Sequence, residues 1–201
     1  MALLFAKNNS LSAVTALPAA VSGGALNLIS TQTASSSATI DFTSGIDSTY
    51  KEYIFRFYDI HPATDGTKLT FQCSTDGGSN YNTTLTSTYF ASYHNEGDSD
   101  AALGYSPTND QAQGTSFQNI TSTIGADNDQ NCAGFLHLFD PSSTTFVKHY
   151  ISTINDYANS DYIDSNFTAG YFNTTSAINA IQFKLASGNI DAGTIKMYGV
   201  T

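Results

Sequence analysis

"TKLTFQCSTDGGSNY", residues 67–81, is the stretch on which the fold turns. Leu69, Phe71 and Cys73 share one side of an alternating run, and Lys68, Thr70 and Gln72 face outward on the other, the two-residue period of a β-strand. The run stops at Asp76-Gly77-Gly78, where positive φ is tolerated and a tight turn forms readily. The Asp76 carboxylate is placed to accept hydrogen bonds from the turn amides. The stretch therefore predicts a strand, a hairpin turn and a second strand.

Residues 74–81, "STDGGSNY", also fit the Asp-box pattern S-x-D-x-G-x-x-[W/Y], a hairpin repeated in sialidase-type and other extracellular β proteins. A sialidase-like propeller needs several such hairpins and a cluster of arginines to grip a carboxylate. The pattern occurs once here, and the whole chain has seven Lys and Arg together. The octapeptide reads as a turn, and the sialidase reading fails.

Working outward, strand patterns dominate from residue 25. "ALNLIS" and "SATIDFT" precede "YKEYIFRFYDI", in which Tyr53, Phe55 and Phe57 occupy one face and Ile54, Arg56 and Tyr58 the other. Both faces are rich in aromatics, so one is core and the other is covered by a loop or a neighbouring subunit. "TTLTSTYFASYH", "GFLHLF", "TFVKHYISTI", "FTAGYF", "AINAIQFKLA" and "GTIKMYGV" follow, with turn-rich polar joints between them. In the last two, Ile181, Phe183 and Leu185 oppose Gln182 and Lys184, and Ile195 and Met197 oppose Lys196 and Tyr198. The expectation is all-β: an antiparallel, jelly-roll-like β-sandwich of about ten strands. Residues 25–201 form its single domain, after an N-terminal arm over residues 1–24. The polar stretches "NEGDSDAALGYSPTNDQAQGTS" and "GADNDQN" are expected to be loops.

Charged residues are 12% of the chain, about half the usual share. Seventeen Asp and Glu set a net charge of −10, which repels phosphate backbones and anionic membranes. Nucleic acid is not an expected partner. Nor is a bilayer, since no run reaches the roughly 18 unbroken apolar residues of a membrane span. The first 24 residues lack the basic opening of an export signal. Cys73 and Cys132 form no metal or redox motif, and Cys73 reads as a buried free thiol.

Nucleophilic catalysis has no motif to rest on: there is no G-x-S-x-G elbow and no cysteine in a basic setting. A carboxylate pair for glycoside hydrolysis need not be close in sequence. Trp, on which sugar-cleaving clefts commonly stack their substrate, is absent. No enzyme is expected. Five tyrosines in or near loops, Tyr89, Tyr93, Tyr105, Tyr157 and Tyr162, offer a sugar-contact platform instead. Two acidic loops, with Glu96, Asp98 and Asp100 in one and Asp127 and Asp129 in the other, carry the oxygen ligands calcium takes, without EF-hand spacing. His137 and His149 fall on predicted strands that would bring them together if they were neighbours, but two imidazoles with no third ligand make a weak metal site.

Five stretches carry a resemblance: "MALLFAKNNSLSAVTALPA" (1–19), "SATIDFTSGIDSTYKEYIFRFYDIHPATDG" (37–66), "FQCSTDGGSNY" (71–81), "LHLFDPSSTTFVKHYIS" (136–152) and "AGYFNTTSAINAIQFKLASGNIDAGTIKMYGV" (169–200). Together they resemble virion structural proteins of marine tailed bacteriophages, including those that infect cyanobacteria. The resemblance implies a place in the phage particle and transfers no catalytic residues. The function expected from it is a tail fibre, spike or tip component that contacts the host surface, a glycan above all. A head decoration or cement protein is the alternative, and an extracellular carbohydrate-binding module the second. Parts of this kind are commonly three-fold, so a homotrimer is expected. The arm, through Leu3, Leu4, Phe5, Leu11, Val14 and Leu17, would attach it to other virion proteins.

Overall fold

The computed structural model describes residues 25–201. The expected arm over residues 1–24 lies outside them. Twelve strands follow one another: β1 (Leu26–Ser37), β2 (Ile40–Phe42), β3 (Glu52–Pro62), β4 (Leu69–Ser74), β5 (Leu85–Asn95), β6 (Ala101–Tyr105), β7 (Gln118–Asn119), β8 (Cys132–Phe139), β9 (Lys148–Ala158), β10 (Tyr162–Phe172), β11 (Ala180–Leu185) and β12 (Ile190–Val200). Every pairing is antiparallel. Of the two strands beyond the ten read from sequence, β6 lies inside the stretch 95–116 expected to be a loop and β7 just after it.

One sheet has the order β1-β12-β3-β8-β9-β10-β5-β6 and the other β2-β11-β4-β7. Strands β1-β12-β3-β8 of the first, joined by Tyr150 of β9 and Phe172 of β10, pack against the second sheet, and the chain alternates between the two layers from β1 to β4. That is the winding of a jelly roll, in which a long antiparallel ribbon is rolled so that β1 pairs β12, β2 pairs β11, β3 pairs β8 and β4 pairs β7. Two hairpin insertions interrupt it: β5-β6 between β4 and β7, and β9-β10 between β8 and β11. Both add to the free edge beyond β8, which widens one sheet to eight strands.

The core lies between the layers. Phe183 of β11 meets Phe55 and Phe57 of β3 at ring-centroid distances of 5.4 and 5.2 Å, and Phe42 of β2 and Phe71 of β4 at 6.3 and 6.2 Å. All five rings are buried, as the alternation in β3, β4 and β11 predicts. Cys73 and Cys132 are free and buried, so burial pushes both thiols up in pKa.

Two sequence expectations fail around β4. Its polar set does not face water: Thr70 and Gln72 are buried. Segment 109–119 folds over that side, where Gln72 Nε2 donates to the carbonyls of Thr115 and Ser116 (3.1 and 3.0 Å) and Phe117 stacks under Lys184 Nζ at 4.0 Å. The turn at Asp76, Gly77 and Gly78 is present, but it closes no hairpin. β4 and β5 lie in different sheets, because β11 and β7 already occupy both edges of β4. The connection carries the chain from one layer to the other. The local chemistry is as read: Gly77 and Gly78 have φ of 75° and 89°, and Asp76 accepts from Ser74 Oγ (2.6 Å), Asn80 N (2.9 Å) and Asn80 Nδ2 (2.7 Å). Those bonds, Ser74 foremost, hold the Asp76 carboxyl down to about 2.

Candidate functional site

Tyr150 of β9 and Phe172 of β10 pack on Phe71 of β4 at 4.9 and 6.0 Å; beyond them the inserted strands β9, β10, β5 and β6 extend past the smaller sheet, and the rest of their inner face has neither β4 nor β11 over it. Segment 106–131 covers it, and the side chains beneath are polar. Ser87 Oγ donates to Gln118 Oε1 (2.7 Å), and Ser122 Oγ donates to Asn166 Oδ1 (2.8 Å). Antiparallel register sets Cys132, Asp156, Asp164, Tyr93 and Ala102 in one row across β8, β9, β10, β5 and β6. Asp156 and Asp164 are thus direct cross-strand neighbours, with side chains on the inner face; they are 1% and 7% exposed.

A short relay fixes Asp156. Tyr89 donates its hydroxyl to Asn166 Oδ1, and Asn166 Nδ2 donates to Asp156 Oδ1 and to the Ile154 carbonyl (3.1 Å). Asp156 Oδ2 is buried without a hydrogen-bond partner. Burial first, and the Asp164 carboxylate second, push the Asp156 carboxyl up to about 7, while Asn166 and the amides of Ser122 and Thr123 pull the other way. Burial raises Asp164 too.

Asp164 also lines a cavity of about 280 Å³ together with Tyr93, Asp100, Thr123, Asn159 and Tyr162. The Tyr93 and Tyr162 rings meet edge-to-face at 5.6 Å and 71°, and Tyr162 donates to Asp100 Oδ2 at 3.2 Å, which raises the Tyr162 phenol. A second cleft of about 390 Å³ adjoins it, with Tyr93 as shared wall and Tyr89, Tyr105, Asn109 and Ser122 around it.

The five tyrosines expected to form one platform separate into different settings. Tyr93 and Tyr162 meet in the first cavity. Tyr89 is not on a loop: it is fully buried, because position 89 of β5 points inward. Tyr105 and Tyr157 stand on the outer face. Tyr105 donates to Asp110; Tyr157 donates to Glu96 (3.0 Å) and Asp161 (3.3 Å) and is pushed up to about 12, by Glu96 first.

The acidic loops gather at the same end without converging on a point. The β5–β6 turn meets the β9–β10 turn through Glu96 N and the Asp161 carbonyl (3.0 Å), and segment 125–131 joins them through Gly125 N and the Tyr157 carbonyl (3.0 Å). Glu96, Asp98 and Asp100 nonetheless bond to Tyr157, His94 (3.1 Å) and Tyr162 respectively. Asp127 is tied through its backbone to Gln130, and Asp129 stands in solvent. Among the described residues no three His, Cys, Asp or Glu side chains converge as a metal site. His137 and His149 lie on the same outward face of the neighbouring β8 and β9 but take separate partners: His137 pairs with Glu52, and His149 packs against Tyr171 at 6.0 Å.

Asp65, Asp156, Asp161 and Asp164 join the five loop acids at this end. Nine of the 17 acids lie there, so the site repels carboxylated or phosphorylated ligands and suits neutral hydroxyls or cations. The sequence reading misses Asp156, Asp164 and Asn166. Their signal is the alternation Asp164-x-Asn166-x-Thr168, which reads as the wet side of a strand and is the covered side here. No protein-family model, curated protein or solved structure matches the chain.

Proposed function

We propose that this chain is a non-enzymatic structural protein of a tailed-bacteriophage virion, a tail fibre, spike or tip component that meets the host surface with its acidic end. The observation that carries the contact is the cavity on the inserted strands. Tyr93 and Tyr162 present ring surface to the C–H face of a sugar, and Asp100 and Asp164 accept hydrogen bonds from its hydroxyls. At about 280 Å³ it sits at the lower edge of the usual ligand-pocket range, roughly 300–1,000 Å³, and holds one small polyhydroxylated unit. The crowd of acids selects a neutral or amino sugar over a uronic or sialic acid. The jelly roll supplies a stiff body and the two insertions supply the site, the usual division between scaffold and function. The resemblance to phage structural proteins supplies the setting.

The test is binding of host-surface polysaccharide fragments to the purified chain, read by NMR line broadening at millimolar sugar. Binding that Tyr93→Ala and Tyr162→Ala both weaken supports the reading. Absence of binding to every neutral and amino-sugar fragment of the host envelope counts against it.

A further inference from the structure

The outer face of the eight-stranded sheet is unlike the rest of the surface. Nine large apolar side chains are exposed among the described residues, and all but Phe146 lie on this face; Phe90, Leu103, Phe135, Ile151 and Ile163 are 39–71% exposed. Phe90 and Phe167 stack at 4.9 Å and 9° and wall a shallow apolar depression of about 180 Å³ with Ile151, Thr153 and Ala169. Carboxylates reach it only around its margins: Glu52 pairs with His137, Glu96 and Asp161 bond Tyr157, Asp98 bonds His94 and Asp110 bonds Tyr105, and none lies on the outward positions of β8, β9, β10, β5 or β6, in a chain of net charge −10. At about 4.8 Å per strand, eight strands and the five outward positions along β10 span on the order of 900 Å². A stable interface needs roughly 800 Å² per partner, so this face alone suffices.

The register makes the face self-complementary. One row runs across the sheet through Tyr105, Phe90, Phe167, Thr153, Phe135, Arg56 and Lys196. Its β6-β5-β10 part is aromatic, with the Asp110 carboxylate beside Tyr105 at the edge, and its β3-β12 part is basic. We propose that this face is the interface between two copies of the chain, packed sheet against sheet about a two-fold axis that runs along the strands between β8 and β9. That axis lays β12 and β3 of one copy over β5 and β10 of the other. Arg56 and Lys196 then lie over uncharged aromatic surface instead of over their own counterparts. Phe135, which protrudes from β8, lies over Thr153 of the other copy at the rim of the depression. Such face-to-face packing is that of a β-sandwich core, and the like contact on both copies is what a two-fold requires. The proposal stands whatever the protein's place in a virion. It puts a two-fold contact where the sequence reading expected a three-fold one.

Sedimentation velocity on the full chain tests it. The expected mass is twice 21.4 kDa at tens of micromolar. Phe135→Glu and Ile151→Glu, each checked for a retained β circular-dichroism spectrum, are expected to weaken association at least ~100-fold. Ser79→Glu, in the interlayer turn, leaves it unchanged. A wild-type chain that sediments as a monomer or a trimer overturns the proposal, as does a folded Phe135→Glu that remains a dimer.

Discussion

Asp156 and Asp164 face each other across β9 and β10 on the covered side of the sheet, two carboxylates in direct cross-strand register. Like charges so placed repel, and burial raises the energy of both charged forms. The strands nonetheless pair from Tyr162↔Ala158 to Phe172↔Lys148 without a bulge.

The pH dependence of stability follows from that pair. The Asp156 carboxyl sits at about 7 in the folded chain, against roughly 3.9 for an unfolded aspartate, so the native state holds its proton more tightly. Stability from this group is complete below the unfolded value and is lost as pH rises through about 7. The melting temperature should fall between pH 5 and pH 8, and Asp156→Asn should flatten the profile and raise the pH 8 value. A flat wild-type profile across that window contradicts the assignment.

The hydrophobic centre was legible in advance, and the site was not, for one physical reason. In β3, β4 and β11 the core side carries Phe55, Phe71 and Phe183, so period-two apolarity marks the covered face. Over the Asp156–Asp164 end of β9 and β10 the cover is the polar segment 106–131 instead of the second sheet, which reaches Tyr150 and Phe172 at the other end. The covered face there is Asp156, Asp164, Asn166 and Thr168, which by hydropathy reads as solvent-exposed. The same cause hid Gln72 and Thr70 of β4, which lie under segment 109–119. The turn at Asp76-Gly77-Gly78 was legible down to its hydrogen bonds, whereas its role in changing layers depends on which strands occupy the edges of β4, and local sequence does not encode that.

Phe183→Ala removes a ring packed against Phe42, Phe55, Phe57 and Phe71. Denaturant unfolding should show a loss of about 3–5 kcal/mol. A loss below about 1 kcal/mol places Phe183 outside the core, since surface changes stay within roughly half that.

The interlayer turn separates its two glycines. Gly77 has φ of 75° with open space where a Cβ would stand, whereas at Gly78, φ 89°, a Cβ would come within 2.9 Å of Thr43 Cγ2 and 2.8 Å of the Tyr81 hydroxyl. Gly77→Ala should lose roughly 1 kcal/mol, the left-handed penalty alone. Gly78→Ala should lose more, with a correspondingly lower melting temperature. Equal losses would show that the contacts with Thr43 and Tyr81 relax freely.

The cleft separates its tyrosines. Tyr93→Ala and Tyr162→Ala should each weaken sugar binding about tenfold or more, the scale of one lost aromatic contact. Tyr105→Ala and Tyr157→Ala, on the outer face, should leave it within experimental error by NMR titration. Equal effects at all four positions contradict the placement of the ligand.

The proposed function is tested most directly by a search for this chain in purified tailed-phage particles and, where it is found, by a cryo-electron-microscopy map with the jelly roll fitted into it. The account predicts density in the tail or its fibres, with the turns at residues 96–100 and 159–161 pointing away from the particle. Density on the capsid shell, or with that end buried against other virion proteins, contradicts it.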